Sequence, residues 1–137
     1  IITIKDEESN VKIMKIYFII MVAVWLPWGI QCIFNISNIT EIIGVSALNP
    51  NGATDIRVMY GGVQTGLGLM ALIAFFKPSL GKYTLFSLAM LGSCMALTRS
   101  YGVVVDGSTS LFNLSVLAFE SFTGISSGFL LTRDKLK

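Results

Sequence analysis

Four apolar blocks follow one another in this chain, each close to the length of about 20 residues that an α-helix needs to cross a bilayer. They are expected at about 14–34, 55–76, 82–104 and 109–131. Nothing else in the sequence constrains the fold as strongly, because four such blocks cannot all be hidden inside 137 residues folded in water. Charged residues make up 13% of the chain, about half the usual share of a soluble domain, and mean hydropathy is +0.73. The expected fold is all-α: an integral membrane four-helix bundle over 14–132, with an N-terminal segment at 1–13 and a tail at 133–137.

The first block needs one check, since Lys12 and Lys15 precede it as in a secretory signal. Its apolar run is longer than a signal core and no A-x-A-like site follows, so a retained helix is expected, kinked at Pro27 between Trp25 and Trp28. Next comes a mixed segment in which ITEIIGVSAL can lie as a short interfacial helix. Asn49-Pro50-Asn51-Gly52 then reads as a turn, with Thr54 or Asp55 capping the second span. Asn35-Ile-Ser and Asn38-Ile-Thr match a glycosylation pattern that arises readily by chance.

The joints KPSLGK and VDGST are short, so the spans they connect are antiparallel neighbours. Basic residues alternate completely: Lys5, Lys12 and Lys15 before the first span, Lys77 and Lys82 in the second joint, Arg133, Lys135 and Lys137 at the end, and none in the other two loops. The positive-inside rule therefore predicts an antiparallel up-down, N-in/C-in arrangement, multi-pass with both termini cytoplasmic.

Composition also narrows the chemistry. There is no histidine, which removes the commonest ligand for zinc, copper and haem and the usual base near neutral pH. Cys32 and Cys94 form no CxxC pair, so no metal site and no intrinsic cofactor is expected. Cys94 reads as a small buried packing residue. A net charge of +2 gives no basic face for nucleic acid.

Ionisable residues inside a span cost about 3 kcal/mol each on insertion scales, so they mark pairing or functional positions. With the predicted orientation, Arg57 and Tyr60 open the second span on the outer side. Arg99 lies about 25 Å up the third, Asp106 is in the outer turn, and Glu120 lies about 17 Å down the fourth, near the bilayer middle. Glu120 must stay protonated or pair with Arg99 or Arg57. Arg57, Tyr60, Gly61, Gln64 and Gly68 fall on one helical stripe, as do Asn113, Glu120, Gly124 and Ser127 or Gly128. Arg57, Tyr60, Gln64, Arg99, Asp106 and Glu120 are thus the candidate intramembrane polar cluster. It is open to two readings: a structural clasp between helices, or a ligand or proton site facing an outer cavity. Gly62-x-x-x-Gly66 and Gly124-x-x-x-Gly128, together with Gly61, are the candidate packing positions. GGVQTGLG follows no strand and lies in an apolar helix, so it is not a nucleotide loop.

The runs DIRVMYGGVQTGLGL, ALTRSYGVVVDGS and LAFESFTG resemble DUF4345, a bacterial family of small four-helix membrane proteins catalogued as a domain of unknown function. Its pattern has R-x-x-Y-G-G opening the second helix, an arginine late in the third, D-G in the following turn and a glutamate in the fourth. Arg57, Tyr60, Gly61, Gly62, Arg99, Asp106, Gly107 and Glu120 occupy those positions. The resemblance spans about 14–132, and implies a bacterial inner-membrane setting and the four-helix architecture but no activity.

Three functions fit these features. The first is an accessory or structural subunit of a larger membrane protein complex, with other membrane subunits as partners. The second is a module that binds or transports a lipid, a quinone or another hydrophobic small molecule through a polar outer-side cavity. The third and weakest is an isomerase-type enzyme moving a proton with Glu120, for which no partner base is evident and no catalytic residue is assigned.

Overall fold

The computed structural model describes the backbone of residues 4–133 and the side chains from residue 8 onward. Lys135 and Lys137 of the expected tail, and the side chain of Lys5, lie outside the described residues. Among the described residues all regular structure is helical: α1 (Ile4–Phe34), α2 (Ile36–Ile43), α3 (Pro50–Ile56), a π-helical turn (Arg57–Gly62), α4 (Val63–Phe76), a 3-10 turn (Pro78–Leu80), α5 (Gly81–Asp106) and α6 (Leu111–Arg133). Four stretches are long and apolar enough to cross a membrane: Glu8–Phe34, Pro50–Phe76, Pro78–Asp106 and Leu111–Arg133. Large apolar side chains such as Ile19, Phe34, Phe86, Leu97 and Ile125 are exposed on them. Such faces suit hydrocarbon rather than water.

Some boundaries differ from the sequence reading, for local reasons. The second span starts at Pro50 rather than Asp55, because Asn49 is an N-cap and not merely part of a turn. Its side-chain oxygen accepts a hydrogen bond from the Gly52 N–H at 3.0 Å, and Pro50 supplies the first-turn geometry. α1 begins at Ile4 rather than near Met14, since the polar residues before the apolar block continue its helix. α5 ends at Asp106, where Gly107 takes φ +66°, a left-handed conformation that favours glycine.

The chain divides into two compact units, Ile1–Gly81 and Lys82–Lys137. In the first, α1 buries Met14, Tyr17, Phe18, Met21, Trp25 and Cys32, a stripe along one side of the helix. Against α1 lie Leu67, Gly68, Ala71 and Ala74 of α4. Contacts run in opposite senses along the two helices. A Cβ built on Gly68 meets Leu26 backbone at 2.8 Å, one on Gly29 crowds Thr65, and one on Gly61 meets the Ile33 nitrogen at 2.9 Å. Between membrane helices there is little hydrophobic drive, so this close approach and its dispersion contacts hold the pair. Pro27 lies within α1 and leaves the Ala23 carbonyl without its usual helical donor. α2 overlaps only the first half of the short helix expected over ITEIIGVSAL: it starts earlier, at Ile36, buries Ile39 and ends at Ile43, where Gly44 takes a left-handed φ of 78°.

In the second unit, Leu85 and Leu88 of α5 are fully buried. Gly92 and Gly124 bring α5 and α6 together: a Cβ on Gly92 would stand 2.7 Å from the Gly124 nitrogen, and one on Gly124 2.8 Å from the Ser93 nitrogen. Cys94 departs from the expected packing role. It is exposed, on the side of α5 turned away from the buried positions Leu88, Gly92 and Ala96.

Candidate functional site

Glu120 sits in the buried stripe of α6 with Thr123, Gly124 and Ser127, and is 2% exposed. A carboxylate so enclosed needs compensation. Arg99 of α5 supplies it as a two-pronged pair: its Nε donates to Oε2 at 2.7 Å and its Nη2 to Oε1 at 2.8 Å. The remaining prong, Nη1, donates to Asn113 Oδ1 at 2.6 Å. Asn113 is held in turn by the α5–α6 joint: its Nδ2 donates to the Ser108 carbonyl at 2.7 Å and to Ser108 Oγ at 3.0 Å. Its backbone N–H donates to Ser110 Oγ at 3.2 Å, which caps the start of α6. A chain of polar contacts therefore runs from the joint to the deepest carboxylate.

The backbone explains how these groups meet. The close approach at Gly92 and Gly124 draws α5 and α6 together, and Arg99 lies two turns further along the same face of α5 as Gly92. Both oxygens of Glu120 are engaged by the guanidinium. Proton transfer by this carboxylate would first have to break two charge-assisted bonds. As placed, the pair ties α5 to α6.

Asp106 is not drawn into it. The residue ends α5, about 10 Å along the axis from Arg99, and is exposed, with its carboxylate lying near Gly102 on its own helix. Of the six candidates on three spans, the clasp unites Arg99 and Glu120.

Arg57, Tyr60 and Gln64 lie in the first unit. Arg57 is exposed and its Nη1 donates to the Ile33 carbonyl near the end of α1. The π-helical turn from Arg57 to Gly62 gives the Val63 N–H to the Val58 carbonyl, five residues back rather than four. The extra residue rotates the start of the span relative to the rest. Gly61 is therefore buried, Tyr60 and Gln64 are half-buried, and Arg57 caps a carbonyl. Gln64 Oε1 and Thr65 Oγ1 are enclosed without a hydrogen-bond partner among the described residues.

The packing glycines also divide. Gly61 and Gly124 make backbone approaches as expected of small residues, whereas a Cβ on Gly66 or Gly128 meets nothing and one on Gly62 meets only the Arg57 carbonyl at 4.0 Å. The i, i+4 glycine motifs are thus not the seams. The seams use Gly61 with Gly68 and Gly92 with Gly124, together with Gly29, because a helix face recurs at seven residues as well as at four. Gly29, Gly92, Asn113 and Ser108 were not among the sequence candidates. Asn113 shares the Glu120 stripe, and Gly29 and Gly92 are lone glycines in apolar helices; those were the available signals.

A family model described as Domain of unknown function (DUF4345) matches residues 13–131. The chain belongs to the DUF4345 family. The matched range takes in both units, the clasp and the π turn. No curated protein and no solved structure matches the chain. A DUF4345 chain brings no assigned activity by its description, so the arrangement of its polar residues has to carry the functional reading.

Proposed function

We propose that this DUF4345 chain is an accessory or structural subunit of a larger membrane protein complex in the bacterial inner membrane. Its four spans form an antiparallel up-down bundle with both termini cytoplasmic, an orientation supported by the alternation of lysine and arginine along the loops. The observation that carries the subunit reading is the closure of the polar group. Arg99, Glu120, Asn113 and Ser108 hydrogen-bond one another, which holds α5 to α6 and engages both oxygens of the carboxylate. The apolar side chains left exposed along the spans give other membrane proteins surface to pack against.

Extraction in a mild detergent and purification through a tag tests this. A defined set of larger membrane proteins in constant ratio is the expected result. A chain that runs only as a free monomer or homodimer under every extraction condition overturns it.

A second reading, a module for a lipid, quinone or similar hydrophobic molecule, is favoured by Gln64 Oε1 and Thr65 Oγ1. Enclosed oxygens without partners just past a π turn suit a ligand hydroxyl or amide. Organic extraction of the same preparation decides it: a stoichiometric apolar molecule with a polar head supports the module, and a clean extract counts against it. An isomerase acting through Glu120 gains no support from a carboxylate whose two oxygens are both engaged.

A further inference from the structure

An exposed side of α1, flanking its buried stripe, carries a different arrangement. Glu8, Val11, Lys12, Lys15, Ile16 and Ile19 line an open groove of about 530 Å³. That is within the range of small-molecule sites and suits a headgroup with the upper part of its tails rather than a whole lipid. Glu8 lies on α1 ahead of the apolar block that begins near Met14. Lys12 and Lys15 follow about 6 and 10 Å deeper along the helix axis, and Ile19 about 16 Å deeper. The order from the surface inward is therefore negative, positive, apolar.

Among the described residues neither Glu8 nor Lys12 is in an ion pair. The Lys15 ammonium lies 5.7 Å from the centre of the Phe75 ring, a contact that steadies the charge at the groove instead of letting it range freely. Ile16 and Ile19 are about half exposed, at 51% and 52%, and give the wall below the lysines an apolar surface inside the span.

We infer that this groove binds a phosphoethanolamine lipid, its ammonium on Glu8, its phosphate on Lys12 and Lys15, and its acyl chains along Ile16 and Ile19. The charge order selects among headgroups. The headgroup of phosphatidylglycerol satisfies the lysines with the same phosphate but offers Glu8 only neutral hydroxyls. A choline headgroup has no N–H to donate to that carboxylate. The ammonium of phosphoethanolamine does, and it lies outside the phosphate, as Glu8 lies outside the lysines.

The test is native mass spectrometry of the purified full chain, titrated with phosphatidylethanolamine, phosphatidylcholine and phosphatidylglycerol of identical acyl chains. Phosphatidylethanolamine adducts should dominate. Glu8→Gln should lower their ratio to phosphatidylglycerol adducts about fivefold, the effect of one charge near a membrane surface. Lys12→Gln combined with Lys15→Gln should weaken both, while Lys77→Gln leaves the ratios unchanged. Equal binding of the three lipids, or a preference that survives the near-isosteric Glu8→Gln, overturns the assignment.

Discussion

In the first unit α1 and the second span meet through glycines at successive levels, Gly68 on Leu26, Gly29 on Thr65 and Gly61 on Ile33. In the second unit, α5 and α6 touch backbone to backbone at Gly92 and Gly124, and a further level is held by charge. One pair is joined by shape along its length. The other adds a polar lock above a narrow contact. The difference bears on specificity, since dispersion contacts tolerate small slips of one helix past the other, whereas a two-pronged Arg–Glu pair fixes both rotation and height.

Breaking the lock should have the largest effect. Glu120→Ala removes both charge-assisted bonds between Arg99 and the carboxylate, and stranding one partner of a buried pair costs about 3–5 kcal/mol. A smaller loss, about 2–3 kcal/mol, is expected because the Arg99 side chain is 28% exposed and separated helices also find polar partners within a membrane. Unfolding in bicelles by titration with a denaturing detergent measures it. Replacing both Arg99 and Glu120 with leucine should recover most of the loss, as apolar substitutes for a buried pair often do. A double variant as unstable as the single would show that the lock carries net stability rather than register.

Shape comes next. A methyl added by Gly68→Ala would enter the Leu26 backbone at 2.8 Å, where no side-chain rotation can relieve it. Overpacking of this kind costs about 1–3 kcal/mol. Gly66→Ala, two residues earlier, meets open space and should be neutral, or stabilising by up to about 1 kcal/mol through helix propensity. The same unfolding measurement on both variants sharpens the contrast. Equal effects would mean that α4 does not meet α1 on the Gly68 face.

The four spans were legible in the sequence because hydrocarbon demands long apolar runs whatever packs against them. Glu120 was legible for the same reason: a carboxylate at that depth must find a partner, and arginines were few. The choice of Arg99 over Arg57 was not, since the π turn that turns Arg57 onto the Ile33 carbonyl has no signature in RVMYGG. The seams were read one step off. Gly62 and Gly66 have the familiar i, i+4 spacing, but any two glycines a turn apart have it, and only the facing helix decides which one it needs. The Asn49 cap was misread because Asn-Pro-Asn-Gly serves equally as a turn and as a helix start.

The smallest effect lies where lock and joint connect. Asn113→Ala removes the bond from Arg99 Nη1 and those to Ser108. Polar contacts within membrane proteins average well below 2 kcal/mol, so about 1 kcal/mol is expected. Its size matters less than its coupling. If Asn113 steadies the guanidinium, its effect should shrink by about half once Arg99 is leucine, because one of its partners is gone. If it serves only to start α6 beside Ser108 and Ser110, the effect should persist unchanged in that background. A double-mutant cycle across Arg99 and Asn113 separates the two, and with them the question of whether the α5–α6 joint is part of the lock or merely its neighbour.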